Sequence, residues 1–259
     1  ADNGRRLVEN PLKYEGERYS IDFEDFEQKI ERGNVKLFLL CSPHNPVGRV
    51  WTCAELEEIS RICKRHGVIV VSDEIHCDFV WAAHGHTCYG LVDVDAVIAT
   101  SPSKTFNLAG LQVSNLFVRN ETLRRALRTE ITKSGYSQLG TVGLTACRSA
   151  YEKGAPWLEA LREYLVGNIG YVRDFLAEHL PAVKLVEPEG TYLLWLDFGA
   201  YGLPQKELDR RVTEGARLWL DSGTIFGSEG QGFQRINIAC PRATVAQAMQ
   251  QLHLEFGQE

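Results

Sequence analysis

Lys104 stands in Ser101-Pro102-Ser103-Lys104-Thr105-Phe106-Asn107, directly after the apolar run Ala96-Val97-Ile98-Ala99-Thr100. A lysine at a strand end, among small hydroxyls and an aromatic ring, is expected to be half-buried. Desolvation lowers the pKa of such an amine and makes it a usable nucleophile or base. Two more polar residues occupy corresponding places: Asn45 follows the apolar run 35–41, and Asp73 ends the run 68–73. Ligands of open α/β sheets bind beyond the carboxyl ends of the strands. An amide, a carboxylate and an amine on one such rim are what a pyridine cofactor needs. The amine forms a Schiff base, the carboxylate keeps the ring nitrogen protonated so that the ring accepts a carbanion's electrons, and the amide bonds the ring hydroxyl. Ser101 and Ser103, with loop amides, suit a phosphate. Each residue alone has a plainer reading: Asn45 as a turn former, Asp73 as a helix cap, Lys104 as a solvated charge. Their joint occurrence favours chemistry.

The elements that must position these residues follow from periodicity. Residues 35–41 are nearly all apolar, the mark of a strand buried on both faces of a parallel sheet. After the Pro/Gly loop at 42–48, Thr52 with Glu55 makes a capping box for a helix whose inner face is Leu56, Ile59, Ile62 and Cys63, and Gly67 ends it. Residues 68–73 form a second buried strand, so strand, helix and strand make a right-handed crossover unit. A third strand covers 96–100, and residues 112–118 return antiparallel. Upstream, residues 23–30 read as an amphipathic helix with Phe23, Phe26 and Ile30 on one face. Beyond residue 120 the pattern gives helices at 121–133, 140–152 and 156–180, the last long enough to link two domains. Strands at 183–186, 191–197 and 233–238 alternate with helices at 204–215 and 244–256. The class is α/β, with a major domain at 1–155 and a linking helix plus smaller α+β domain at 156–259.

The 259 residues carry 28 basic and 34 acidic side chains, a net charge of −6 without dense like-charged blocks, which argues against nucleic acid or an anionic membrane as partner. No apolar run approaches the ~20 residues of a membrane span, and the first residues lack the apolar core of a signal peptide. Cysteines at 41, 53, 63, 77, 88, 147 and 240 are odd in number, irregularly spaced and without a C-x-x-C pair, as in a reduced cytoplasmic protein. The spacing His84-Gly85-His86-Thr87-Cys88 is read as a loop and not as a metal site. Met249 is the only methionine and the first 34 residues look like the middle of a domain, so the chain is expected to be the later part of a longer polypeptide.

Together, Asn45-Pro46-Val47-Gly48, Ser72-Asp73-Glu74-Ile75 and Ser101-Pro102-Ser103-Lys104 resemble the fold-type-I pyridoxal-phosphate enzymes of the class I/II aminotransferase superfamily. Longer motifs are similar to its carbon–sulfur β-lyase branch, the MalY/PatB-type cystathionine or cysteine-S-conjugate β-lyases. They are Pro43-His44-Asn45-Pro46-Val47-Gly48-Arg49, Ser72-Asp73-Glu74-Ile75-His76, the stretch 103–112, Glu189-Gly190-Thr191-Tyr192-Leu193 and Arg235-Ile236-Asn237-Ile238-Ala239-Cys240-Pro241. The resemblance runs from about residue 10 to the end. It implies a three-layer α/β/α, mainly parallel sheet whose large domain is incomplete here, a small C-terminal α+β domain, and pyridoxal 5'-phosphate as cofactor. Lys104 would be the Schiff-base lysine and the acid/base at the α-carbon, and Asp73 would pair with the pyridinium nitrogen. Asn45 would contact the ring hydroxyl near the substrate carboxylate, while Ser101 and Ser103 would help bind phosphate. Arg235 would clamp the α-carboxylate with its planar fork. Apart from the resemblance, a salt-bridged arginine on a sheet edge is its plainer reading.

Two departures from the transaminase pattern favour the lyase branch. His76 stands where transaminases usually carry a tyrosine reaching the ring oxygen, so it is placed at the cofactor. Gln112 stands where they often have a phosphate-binding arginine. The branch implies a cytoplasmic homodimer that cleaves a small amino-acid thioether to thiol, pyruvate and ammonia. About a third of a family member would precede Ala1, including the ring-stacking residue and further phosphate ligands. The alternatives are an aminotransferase, or a non-catalytic cofactor-binding regulator or inactive fragment.

Overall fold

In the computed structural model, which describes residues 3–81, 84–136 and 138–257, Asp22 starts helix α1 (Phe23–Gly33) by accepting a hydrogen bond from the Asp25 N–H at 3.1 Å. Asn34 ends it in the left-handed conformation. Ala1 and Glu259, which bound the two expected domains, lie outside the described residues. Contacts divide the chain into two units. The first holds residues 1–13, 20–43 and 50–158, and the second 14–19, 44–49 and 159–259.

In the first unit, β3 (Leu37–Cys41), β4 (Ile69–Asp73) and β5 (Val97–Thr100) run parallel, and β6 (Asn115–Val118) returns antiparallel to β5. The hairpin of β1 (Lys13–Glu15) and β2 (Arg18–Ser20) precedes them in the chain. Helix α2 (Cys53–Arg65) has the expected capping box. The Glu55 N–H donates to Thr52 Oγ1 at 3.2 Å, and the Thr52 N–H donates to the Glu55 carboxylate at 2.8 Å. Its inner residues Leu56, Ile59, Ile62 and Cys63 pack with Phe26 and Ile30 of α1 and with Leu40, Val70 and Ile98 of the sheet, forming the core. Next come the turn α3 (Pro102–Thr105), α4 (Glu121–Lys133) and α5 (Thr141–Lys153), and then α6 (Ala155–His179).

Burial of the strand at 35–41 on both faces is corrected. Side chains alternate across a strand, and helices α1 and α2 occupy only the face of Leu40, Val70 and Ile98. On the opposite face Leu37, Leu39, Ile69 and Leu116 are exposed. The sequence run is apolar on both sides, but the described residues cover one. Adjacent leucines therefore differ in what they contribute. Leu39 is 68% exposed and Leu40 4%. In urea unfolding of this chain, Leu40→Ala is expected to cost about 2–5 kcal/mol and Leu39→Ala less than about 0.5 kcal/mol. Equal costs would contradict this assignment of faces.

The expected strand 112–118 begins only at Asn115, because Gln112 takes a positive φ of 52° that ends the preceding turn.

The second unit is an antiparallel sheet in the order β7 (Lys184–Val186), β8 (Leu193–Asp197), β10 (Phe233–Asn237), β9 (Asp221–Ser222). Its buried residues include Leu165, Ile169 and Val172 of α6, Leu194 and Leu196 of β8, and Val245, Met249 and Leu252 of α8 (Arg242–Phe256). The strand expected from residue 191 starts at Leu193. Thr191 adopts φ 67° and its hydroxyl accepts from the Leu193 N–H at 3.2 Å, which turns the chain before pairing begins. The helix expected over 204–215 is α7 (Gln205–Arg210) running into a wider π-turn at Arg211–Gly215. There Gly215 lies against the Glu255 carboxylate, where a Cβ would come within 2.3 Å of an oxygen.

Candidate active site

Strands β4 and β5 bring the first group of residues together. Asp73 is the last residue of β4 and pairs in register with Ala99, five residues before Lys104. Asp73 is exposed, and its Oδ1 accepts from the Ile75 N–H at 3.1 Å, so it also caps the turn that follows the strand. Lys104 is exposed, which corrects the half-buried expectation: in the single turn of α3 it is Pro102 and Thr105 that face inward. The Thr105 hydroxyl donates to Asp78 Oδ2 at 2.6 Å, fastening the lysine turn to the turn after Asp73. His76, in that same turn, is buried.

Ser101 caps the lysine turn. Its Oγ accepts from the Ser103 N–H at 3.0 Å and donates to the Val113 carbonyl at 2.6 Å. A hydroxyl has one proton to give, so in this arrangement Ser101 shapes the turn, while Ser103 is half-buried beside it with its Oγ 2.7 Å away. Helix α5 packs against this region at Gly143 and at Gly154, the residue just past its end: a Cβ on Gly143 would lie 2.6 Å from Val113, and one on Gly154 would lie 2.3 Å from the Phe106 ring.

Glu74 is a supporting residue that sequence reasoning did not single out. Its buried carboxylate accepts from Ser72 Oγ at 3.0 Å and from the Tyr89 N–H at 2.8 Å, and it pairs with His86 Nε2 at 2.9 Å. Burial works to raise its pKa, but the bonds from His86, Tyr89 and Ser72 outweigh it and hold the carboxyl below the usual carboxylate range. His86, considered above for a metal-like spacing, is thus a hydrogen-bond partner of the buried Glu74 carboxylate. Among the described residues no group of three or more His, Cys, Asp or Glu could hold a metal ion.

The second unit brings Asn45 and Arg235 together. The Asn45 loop is fastened by Gly48, whose carbonyl accepts from the Glu189 and Gly190 N–H groups at 2.9 Å each. Gly48 has φ +72°, and a Cβ there would press on Pro188 at 3.1 Å, so the turn requires glycine. Next to it, buried Arg49 bonds Glu189 Oε2 at 2.8 Å and the Tyr19 carbonyl. Arg235, in the middle of β10, donates from Nη1 to Asn45 Oδ1 at 2.7 Å. Its Nε donates to Asp221 Oδ2 at 3.0 Å, and Nη2 contacts the same oxygen. The salt bridge of the plainer reading is therefore present, and it coexists with the Asn45 contact. The guanidinium also lies 4.6 Å from the centroid of the Phe226 ring. Asp221 and Arg235 are also among the residues that line a cavity of ≈ 200 Å³, walled in part by Leu218, Ile236 and Val245. Past Arg235 the chain is clipped by buried Asn168. This residue donates to the Ile238 and Cys240 carbonyls at 2.8 and 3.1 Å and accepts from Arg242 Nε at 2.6 Å.

Among the described residues no helix is long and apolar enough to cross a membrane. Comparison with known proteins adds ancestry to this geometry. The chain is 40% identical over 254 residues to cystathionine beta-lyase PatB of Bacillus subtilis (strain 168), covering 96% of this chain and 66% of that protein. It is 37% identical over 243 residues to protein MalY of Escherichia coli (strain K12), covering 93% and 62%. Among solved structures, cystalysin from Treponema denticola, which contains a pyridoxal 5'-phosphate cofactor, matches with a TM-score of 0.94 and 34% identity over 97% of this chain and 65% of that one. The chain thus spans just under two thirds of the curated relatives it matches. The family model for aminotransferase class I and II matches residues 2–252, and on that span the chain belongs to the aminotransferase class I and II family.

Proposed function

We propose that the protein is a pyridoxal-phosphate-dependent carbon–sulfur β-lyase that cleaves cystathionine or related cysteine S-conjugates to thiol, pyruvate and ammonia. It would work as a homodimer in the cytoplasm, with residues 1–155 belonging to its large cofactor-binding domain and 156–259 to its small domain. The observation that carries the reading is the placement of Asp73 and Lys104 at the carboxyl ends of neighbouring strands β4 and β5, both exposed to a ligand. The likeness to curated cystathionine β-lyases supports it.

These residues fit the group. Asp73 offers a carboxylate for a protonated ring nitrogen and Lys104 an amine for the cofactor aldehyde. Asn45 would offer its amide to the ring hydroxyl, as the resemblance implies, and within its own unit its Oδ1 accepts from Arg235. When bound, the cofactor supplies the electron sink that stabilises a carbanion at the substrate α-carbon. The chain's own residues do the rest. Arg235 holds the α-carboxylate, Lys104 Nζ removes the α-proton, and Asp73 keeps the ring nitrogen charged. Ser103, with the amides of the lysine turn, would hold the phosphate, and His76 would stand beside the cofactor ring.

The test is to incubate the whole native protein with cystathionine and a set of S-alkyl cysteines, assaying free thiol and pyruvate together. Equal amounts of both are expected. Amino transfer to an added 2-oxo acid with no thiol released would make the protein an aminotransferase. Neither activity, with no cofactor retained, would leave a non-catalytic fragment.

A further inference from the structure

Resting on the reading of Arg235 as the α-carboxylate site, we propose that Asp221 is a positioning residue that aims the Arg235 guanidinium and so sets affinity for the carboxylate of the substrate. Asp221 lies opposite Arg235 in the register of β9 and β10, so the backbone ladder itself sets the two side chains against each other. Both contacts run to a single oxygen, Oδ2, from Nε and Nη2, which is the side edge of the fork. Asn45 Oδ1 takes one proton of Nη1. A guanidinium has five N–H donors. With three used, one remains on Nη1 and one on Nη2, and the latter lies on the end of the fork, away from Asp221. The face of the guanidinium is closed by Phe226 at 4.6 Å.

The result is a cation held at an edge, at a corner and over a ring, with one N–H on Nη1 and one on Nη2 left for an incoming carboxylate. A flexible arginine would have to be ordered when the ligand binds. Here that ordering is done beforehand, which is how preorganisation improves affinity.

Asp221 also carries a negative charge near the incoming carboxylate, and this opposes binding. Orientation outweighs repulsion because the two groups are unequally placed. The Asp221 side chain is 40% exposed, so water screens its field, while the Arg235 side chain is 16% exposed and its geometry is set by these contacts. Phe226 and Asn45 alone do not hold the Nε edge.

The experiment uses the whole native holoenzyme and two probes: 3-(methylthio)propanoate, which has the carboxylate and thioether but no amine, and 2-(methylthio)ethylamine, which has the amine but no carboxylate. Calorimetric binding of each is compared across wild type, Asp221→Ala, Asp221→Asn and Arg235→Ala, with circular dichroism confirming folding. Asp221→Ala is expected to weaken the carboxylate probe about tenfold. Asp221→Asn, which keeps a neutral acceptor, is expected to weaken it about threefold. The amine probe should be unmoved, and in turnover KM should rise with kcat largely kept. Carboxylate affinity unchanged or tightened in both Asp221 variants, while Arg235→Ala abolishes it, would overturn the role of Asp221 alone. Carboxylate affinity unchanged in Arg235→Ala would overturn the reading of Arg235 and this proposal with it.

Discussion

Replacing Lys104 by alanine in the whole native protein is expected to lower thioether elimination by at least about 10³-fold. The lysine combines two tasks, as the nucleophile that holds the cofactor and as the base at the α-carbon, and positioned acid/base catalysis alone contributes about 10²–10⁴-fold. Folding should be nearly unchanged. Lys104 is exposed, and the residues that anchor its turn are Pro102, Thr105 with its bond to Asp78, and the Ser101 cap. A surface substitution of this kind typically moves stability by less than about 0.5 kcal/mol. Steady-state rates with the circular dichroism melt of the same preparation check both halves. A variant that keeps more than a tenth of the activity would remove Lys104 from the reaction. A variant that loses activity only by unfolding would leave its role unsupported.

Asp73→Ala is expected to separate binding from chemistry. Without a carboxylate beside the ring nitrogen the cofactor is a poorer electron sink. A preorganised charge of this kind is worth about 10²–10³-fold in rate. Lys104 remains in place, so the cofactor should still be captured by borohydride at near-stoichiometric level. The local cost is one acceptor lost to the Ile75 N–H, about 1 kcal/mol. The informative outcome is therefore a loaded, folded, slow enzyme. A fully active Asp73→Ala protein would assign the carboxylate to the turn alone.

The residues with the largest expected effects were legible in the chain because they announce themselves locally. Asp73 and Lys104 each follow a run of buried-type residues, and a polar group at such a boundary marks a strand end facing a ligand. The capping box of α2 was legible for the same reason, since Thr52 and Glu55 are three residues apart and need nothing distant. What was not legible depends on partners remote in sequence. Asp221 lies 14 residues from Arg235 in a strand of two residues. Asn168 lies 70 residues from the carbonyl it holds. In both cases only the pairing of strands or the packing of a helix reveals the contact. Glu74 could have been found: a third polar residue in a row, Ser72-Asp73-Glu74, at the end of a buried strand cannot face solvent with every member.

Backbone conformation set the misplaced boundaries. Gln112 and Thr191 both take positive φ, a state that residue type alone does not predict for glutamine and disfavours for threonine. The open face of β3 and β4 was misread because an apolar run reports what a strand is suited to meet and not what the chain supplies. The exposure of Lys104 has a similar origin, since a four-residue turn turns only two of its side chains inward.

The most direct test of the proposed function is borohydride reduction of the whole native protein followed by peptide mass analysis. The expected result is one reduced phosphopyridoxyl group per chain, on the peptide that carries Lys104. No added mass, or added mass on another lysine, would contradict it.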